Sequence, residues 1–420
     1  MRKLNRRKFV KTLAAAGAAL ASESVPAAHA ALSSGVVAGE TWDVLIIGAG
    51  VFGAWTALSL RRAGRKVVLV DQYGPANSRA SSGGETRIIR MGYGSKELYS
   101  RWAWQSLAEW NQLFVASHQP LFRPTGVLWM GKTSDEEMNQ NLVTLAKLSI
   151  PFQRLSRSDL AGRFPQIALE DDMFGILEPA AGALLARRAV QLVVAQAVQE
   201  GVEYRTGLAS APSGRGPVES VSVNGEPVPA RAFVFACGPW LPRIFPALLK
   251  EKIVPSRGEE FYFGPAAGDR RYSENSIPTW IDNAADTFGA PDIEGRGFKI
   301  GIDPHGPPFD PDRDSRTLLA ESYNFAREYA ARRFPGLKDA PLVEHRVCQY
   351  ENTSNEDFLI DRHPEHENVW LVGGGSGHGF KHGPALGAYV AKRVIEGGPV
   401  DPIFSLANKG PVTSPSIFNR

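Results

Sequence analysis

Asp43-Val44-Leu45-Ile46-Ile47-Gly48-Ala49-Gly50-Val51-Phe52-Gly53, followed by a second apolar run over Arg65–Asp71, is the stretch that decides the fold. Residues 43–47 have the length and apolarity of a strand, residues 48–53 form a glycine-rich turn, and residues 51–63 have helical character. With the run that ends at Asp71 they predict one βαβ unit. The turn reads G-x-G-x-x-G. That spacing is weak alone, but it is specific where it leaves a strand, opens a helix and is followed by an acid at the end of the next strand. Gly48 permits the tight turn, Gly50 has no Cβ to keep a pyrophosphate from the backbone, and Gly53 lets the helix sit close to the strand. The helix start, with Val51 and Phe52 in its first turn, offers unpaired N–H groups and a partial positive charge to phosphates. Asp71, with Gln72 after it, can accept hydrogen bonds from a ribose. A glycine turn without a ligand is the alternative, and the strand–turn–helix–acid context argues against it.

The fingerprint serves FAD and NAD alike. What tips the reading to FAD lies far along the chain. Asn368–Val372 reads as another buried strand, Gly373-Gly374-Gly375-Ser376-Gly377 as a second glycine-rich loop, and about Pro384–Glu396 as a helix. A flavoprotein needs such a loop to reach the isoalloxazine end of its cofactor. Between these ends, Leu98, Trp102, Leu107, Trp110 and Phe114 predict a helix over 95–115. Residues 127–130 read as a strand, 187–200 as a helix, 202–204 as a strand, and 232–237 as an apolar strand ending at Gly238. The stretch 251–345 is rich in Pro, Gly and aromatics with short strand-like pieces. The pattern is α/β at both ends with β-rich material between, which implies an interrupted fold. A discontinuous Rossmann-type FAD-binding domain is expected over 42–120, 180–250 and 346–400. It is interleaved with a β-sheet-rich (α+β) substrate-binding domain over 121–179 and 251–345, and 401–420 form a C-terminal tail.

The 420 residues, 43% hydrophobic and 22% charged, are enough for a sizeable core and two structural domains. The formal charge of +3 is unevenly placed. The first thirty residues hold Arg2, Lys3, Arg6, Arg7, Lys8 and Lys11 against Glu23, and the remainder has 41 basic and 43 acidic residues. Nothing in the body is basic enough for nucleic acid. Arg6 and Arg7, with Phe9 and Lys11, precede a mild apolar run, Thr12–Ala21, and Ala28-His29-Ala30 has the form of a cleavage site. Residues 1–30 are therefore read as a twin-arginine signal and 31–41 as a linker, in preference to a plain secretory signal or a basic tail. Export of a folded, cofactor-loaded protein to the periplasm is expected, without stable membrane insertion, because no segment has 18 continuous apolar residues. Two cysteines make no disulfide framework. Cys237, in an apolar run, reads as buried and structural. The eight histidines show no metal-ligand spacing.

Five segments in order carry a resemblance: Gly84-Glu85-Thr86-Arg87-Ile88-Ile89-Arg90, Gly297-Phe298-Lys299-Ile300-Gly301, Cys348-Gln349-Tyr350-Glu351-Asn352-Thr353, Asp361-Arg362-His363-Pro364 and Gly375-Ser376-Gly377-His378-Gly379-Phe380-Lys381. Together they resemble the FAD-dependent amine oxidases of the D-amino acid oxidase superfamily, most closely the branch of monomeric sarcosine oxidase and N-methyltryptophan oxidase. The resemblance spans about Trp42 to Gly397. It implies that Cys348 carries the flavin through an 8α-S-cysteinyl bond, with His345 and Arg346 as nearby positive charge. It implies that Lys299 stands over the flavin through a water and stabilises superoxide as it forms. Arg90 and Lys381 match a pair that holds a substrate carboxylate, the first as a planar fork and the second as a compact charge. Tyr350 matches a wall of the substrate cavity. Arg87, with Ser82 and Thr86 beside it, matches the flavin surroundings. Gly375, Ser376, Gly377, His378 and Gly379 match the loop that meets the flavin ring through its backbone.

The bland readings are a buried cysteine at 348, a solvated strand lysine at 299, an Arg90–Glu85 salt bridge and an ordinary loop histidine at 378. Two departures bear on the substrate. Where sarcosine oxidases have histidines, this chain has Gly83 and Asp303, with His305 two further on. Asp303 is suited to a cationic or hydroxylated substrate, a feature shared with deglycating fructosyl amino acid oxidases. The implied reaction is oxidation of the C–N bond of a secondary amine or N-substituted amino acid to an imine, hydrolysed to amine and carbonyl, with O2 reduced to H2O2. The alternatives are a flavin dehydrogenase using a quinone or protein acceptor, a fructosyl amino acid oxidase-like enzyme, a nicotinamide dehydrogenase, and an inactive FAD-binding protein. A carboxylate-bearing amine substrate, O2, the twin-arginine machinery and a monomeric state complete the expectation.

Overall fold

In a computed structural model, residues 41–302 and 306–413 are described. The decisive stretch folds as β1 (Trp42–Ile47), α1 (Val51–Arg62) and β2 (Val67–Asp71). β1 and β2 pair in parallel, Val44 opposite Val67 and Ile47 opposite Val70. The remaining strands of this sheet run outward in the order Leu359–His363, His366–Gly373, Glu226–Phe235, β1, β2, Glu203–Thr206. Glu226–Phe235 lies parallel to both β1 and His366–Gly373, so the C-terminal glycine loop leaves the sheet two strands away from the N-terminal one. Val44, Leu45 and Ile46 and all of Val67–Val70 are buried. Continuous apolar runs of this kind mark strands covered on both faces. Each such Val, Leu or Ile contributes about 1.5–3 kcal/mol by leaving water.

An eight-stranded sheet holds Leu342–Asn352, Val254–Phe263, Phe298–Ile302, Thr287–Ala290, Thr279–Asp282, Val127–Lys132, Met173–Glu178 and Gln153–Leu155, in that order. A small sheet joins Thr86–Ile89, Gly182–Leu185 and Phe122–Arg123. The junction expected at 345/346 thus falls inside one strand, and Cys348 belongs to the larger sheet. Its register matters for the site. Cys348 is opposite Gly258, and Lys299 is opposite Tyr262. Both are therefore diagonal neighbours of Glu260 on the same face, one from each side.

The helices expected near 95–115, 187–200 and 384–396 are Glu97–Ala116, Ala186–Gln199 and Gly383–Glu396. Two features of the stretch 251–345 differ from expectation. Val254–Phe263 is a ten-residue strand and Ala320–Arg333 a fourteen-residue helix. The helix buries only Ala326, Tyr329, Ala330 and Arg333, and Arg333 is held by Asp282 at 2.7 Å. A face whose only aliphatic residues are two alanines gives little hydrophobic period to read. In the tail, Phe404 is buried among Tyr99, Trp102 and Tyr389. Residues 1–40, over which a signal and linker are expected, lie outside the described residues.

Candidate active site

A cavity of about 420 Å³ is lined at one end by Gly48, Gly50, Val51, Phe52, Asp71, Gln72 and Ser82, and elsewhere by Arg87, Cys348, Tyr350, Gly375, Gly377 and Gly379. At the glycine turn each position has its own steric reason. Gly48 has φ +106°, and a Cβ there would lie 2.3 Å from the Ala236 carbonyl oxygen. A Cβ on Gly53 would lie 1.8 Å from the Gly48 oxygen, so Gly53 packs against the turn and does not line the cavity. A Cβ on Gly50 would meet only the Ser82 hydroxyl at 3.5 Å, so its missing side chain leaves room for a ligand. α1 begins there with no side-chain cap and no acid in its first turn. The Val51 N–H donates to Ser82 Oγ at 3.1 Å. Asp71 accepts from the Ala49 N–H at 2.8 Å and from the Tyr73 and Gly74 N–H groups at 2.9 Å. Burial pushes this carboxyl up, and the three N–H groups oppose it. Asp71 thus ties the turn together as well as lining the cavity.

The Arg87–Cys348 end is built from side chains. Arg87 donates to the Cys348 sulfur at 3.0 Å, to the Ser81 carbonyl at 2.9 Å and to Glu260 Oε1 at 2.9 Å. The same Glu260 oxygen is 2.9 Å from Lys299 Nζ. Burial alone would raise the Glu260 carboxyl, but Lys299 and Arg87 against it hold it down to about 2. Burial pushes the Lys299 ammonium below its ordinary value, with Glu260 opposing. Lys299 also donates to the Thr86 carbonyl and hydroxyl at 3.3 and 3.4 Å. Neither Lys299 nor Thr86 lines the cavity; Lys299 reaches Arg87 only through their shared Glu260.

Arg90 and Lys381 are brought together by one phenol. The Arg90 guanidinium lies 4.3 Å from the centre of the Tyr93 ring and 4.6 Å from that of Trp129. It donates to the Gly92 carbonyl. Lys381, buried, donates to Tyr93 Oη at 2.7 Å and to the His378 carbonyl at 2.9 Å. Arg90 makes no ion pair within 4.0 Å among the described residues, and Glu85 pairs instead with Arg187 and Arg296. Beneath Arg90, the buried Glu178 accepts from the Met91 and Gly92 N–H groups and the Trp129 indole. The His378 ring points into an aromatic cluster, stacked 4.9 Å from Phe358, and not into the cavity. Burial first and the Lys381 charge second hold His378 and His382 neutral. Asp303 and His305 lie outside the described residues.

Several cavity and neighbouring residues were not anticipated. Cys237 is a correction: its strand ends at Phe235, and the thiol is half-buried on the cavity wall, 3.4 Å from the Ile47 carbonyl. Both cysteines are free. Glu351 lines the cavity with only 7% exposure. Burial pushes its carboxyl up to about 7, with the nearby Gly374 and Gly375 N–H groups opposing the shift, and its Oε2 has no hydrogen-bond partner among the described residues. Glu260 gave no strong signal in the sequence, since it follows the mixed stretch Val254-Pro255-Ser256-Arg257-Gly258-Glu259. Among the described residues, no cluster of three or more His, Cys, Asp or Glu could hold a metal, and no helix is long and apolar enough to cross a membrane.

A parallel sheet with a glycine turn at a helix start, and a second glycine loop closing the same cavity, define a dinucleotide-binding oxidoreductase. Residues 43–393 match the model of the FAD dependent oxidoreductase family, and the chain belongs to it. The chain is 28% identical to peroxisomal sarcosine oxidase of Homo sapiens, over 83% of this chain and 90% of that protein. It is 28% identical to N-methyl-L-tryptophan oxidase of Yersinia pestis (strain Pestoides F), over 83% and 94%. Among solved structures, L-proline dehydrogenase from P. horikoshii shares the fold, with TM-score 0.76, 18% identity, and coverage of 87% of this chain and 96% of that one. The residues present fit FAD. The open space at Gly50 and the uncapped start of α1 suit its diphosphate. Glu351, buried on the wall of the same cavity, can bond a polar group of the cofactor.

Proposed function

We propose that this flavoprotein oxidises the C–N bond of a secondary amine or N-substituted amino acid, with its flavin bonded to Cys348 and O2 as electron acceptor. The observation that carries the reading is the convergence of Arg90 and Lys381 on Tyr93. A planar fork and a compact ammonium within reach of one another suit a carboxylate. Tyr93, Tyr99 and Phe358 pack against the two histidines and keep water from the carboxylate. The chemistry FAD supplies when bound is acceptance of a hydride equivalent and its delivery as two electrons to dioxygen, giving hydrogen peroxide. The chain's part is to hold the carboxylate so that the unprotonated nitrogen and its neighbouring carbon face the redox ring. Water then hydrolyses the released imine to an amine and a carbonyl compound. Arg87, donating to the Cys348 sulfur, supports the covalent link by setting a fixed positive charge against the attacking atom. Asp303 contributes to substrate choice. The protein acts as a monomer and is exported to the periplasm through the twin-arginine machinery, a reading supported by Arg6, Arg7, Phe9 and Lys11.

A second reading is a dehydrogenase passing electrons to a quinone or protein. It is favoured by the Lys299–Glu260 pair, which matches the lysine's charge with a carboxylate 2.9 Å away. Anaerobic reduction of the bound flavin across N-methyl, cyclic and sugar-modified amino acids, with peroxide counted per substrate consumed, tests both. One peroxide per turnover supports the oxidase, and turnover only with an added quinone supports the dehydrogenase. A yellow protein that no amine bleaches rejects both. Flavin that stays with the denatured chain in wild type but not in Cys348→Ser supports the thioether.

A further inference from the structure

We propose that Glu260 sets the charge presented to the redox end of the cofactor, by clamping Arg87 onto Cys348 and opposing Lys299. The inference rests on the FAD reading and deepens it. Its basis is a closed cluster in which one carboxylate oxygen takes both cations at 2.9 Å, while Arg87 reaches the sulfur on the cavity wall at 3.0 Å. Glu260 and Lys299 are 4% and 3% exposed, so neither charge is screened as a surface charge would be. The second oxygen, Oε2, is buried without a hydrogen-bond partner among the described residues. The arrangement therefore spends its one carboxylate on the two cations. The three groups sum to one positive charge. Without the carboxylate they would sum to two, and positive charge beside the ring favours both the anionic reduced flavin and superoxide. Glu260 thereby lowers the flavin's readiness to accept electrons and slows its reoxidation by O2, making it a positioning residue and a brake.

The test uses flavin-loaded protein reduced with dithionite, so no amine substrate is needed. Two quantities are read: the position of the two-electron equilibrium against a reference dye, and the rate at which O2 reoxidises the reduced flavin. Glu260→Gln is expected to favour reduction at least tenfold, about 30 mV, and to speed reoxidation several-fold. Glu260→Gln leaves Lys299 buried without its partner and is the variant most exposed to misfolding. Lys299→Met and Glu260→Gln/Lys299→Met therefore form a second comparison, differing only at Glu260. Lys299→Met is expected to disfavour reduction tenfold, and the double variant to return within threefold of wild type. Equal equilibria and rates in both comparisons overturn the inference, as does a double variant that stays with Lys299→Met. A wild-type protein that holds no flavin overturns the FAD reading along with it, whereas yellow protein with unshifted variants overturns the inference alone.

Discussion

At the end of the cavity formed by residues 48–53 a ligand meets main chain, whereas at the end formed by Arg87, Cys348 and Tyr350 it meets side chains drawn from two sheets. The first end depends on what is absent: side chains at three glycines, a capping side chain at Gly50, an acid in the first turn of α1. The second depends on what is present and matched, with Glu260 between two cations and Arg87 between a carboxylate and a sulfur. The first can be broken only by adding atoms, the second only by removing them. The largest effect should come at the glycine end. Gly53→Val would drive a Cβ to 1.8 Å from the Gly48 oxygen, a backbone contact that cannot yield, and no soluble flavin-loaded protein is expected. Gly50→Ala is the control. Its Cβ meets only the Ser82 hydroxyl at 3.5 Å, so melting should be preserved without ligand while flavin content falls. Equal loss of fold in both variants would contradict the division between a packing glycine and a ligand glycine.

At the other end, Arg87→Ala removes a donor to four partners, Thr86, Ser81, Glu260 and Cys348, and leaves Glu260 with Lys299 alone. Breaking one side of a buried ionic cluster costs about 3–5 kcal/mol. Chemical denaturation should show a loss of that size, together with loss of flavin retained on the denatured chain. A variant that is stable but loses only the covalent flavin would show that the guanidinium serves the sulfur and not the cluster.

The two ends also differ in how far the sequence disclosed them. The glycine turn is local: it spans six residues and their spacing is itself the geometry, so Gly48, Gly50, Gly53 and Asp71 were legible before any fold was known. Cys348 and Lys299 could be named by resemblance, but their shared neighbour could not. Glu260 joins them only through the register of three strands, with Cys348 opposite Gly258 and Lys299 opposite Tyr262, and register depends on pairings between residues up to 98 apart, Val254 with Asn352. The acid pair Glu259-Glu260 follows Pro255-Ser256-Arg257-Gly258, so nothing in the local sequence marks it as buried. Cys237 was misplaced for a related reason: the apolar run continues past Phe235, where pairing with β1 stops. The helix Ala320–Arg333 left no trace, because an arginine held by Asp282 does the packing that leucines do elsewhere.

Glu351 belongs to neither end by chemistry, being a buried acid that makes no ion pair within 4.0 Å among the described residues, and it offers a pH test. Its carboxyl is raised to about 7 from 4.5 by burial. Below pH 4.5 it is protonated whether the chain is folded or not, and it costs nothing. Between about 4.5 and 7 the unfolded chain ionises while the folded chain keeps its proton, so unfolding releases a proton and stability falls as pH rises. Above about 7 both are ionised and the penalty is constant, on the order of 3 kcal/mol. Thermal melts of wild type and Glu351→Gln should therefore diverge from pH 4.5 to 7, the variant becoming the more stable. Parallel melting curves across that range would place the ionisation elsewhere.

The rim of the cavity should respond least. Asp312 there accepts from Tyr73 at 3.2 Å, Trp240 at 3.0 Å and Arg243 at 2.6 Å, and Tyr73, Trp240, Arg243 and Asp312 all line the opening. The pattern resembles the Glu260 cluster, one carboxylate gathering several donors. The difference is solvent: the Arg243 and Asp312 side chains are 45% and 25% exposed. Exposed ion pairs contribute roughly 0.2–1 kcal/mol and are weakened by salt. Asp312→Asn keeps the acceptor oxygen, so it should lower stability by less than about 1 kcal/mol, and 0.5 M salt (roughly a Debye length of 4–5 Å) should erase most of that difference. A loss as large and as salt-resistant as that of Arg87→Ala would mean that water is excluded from the rim as it is from Glu260, and that the cavity closes over its ligand on both sides.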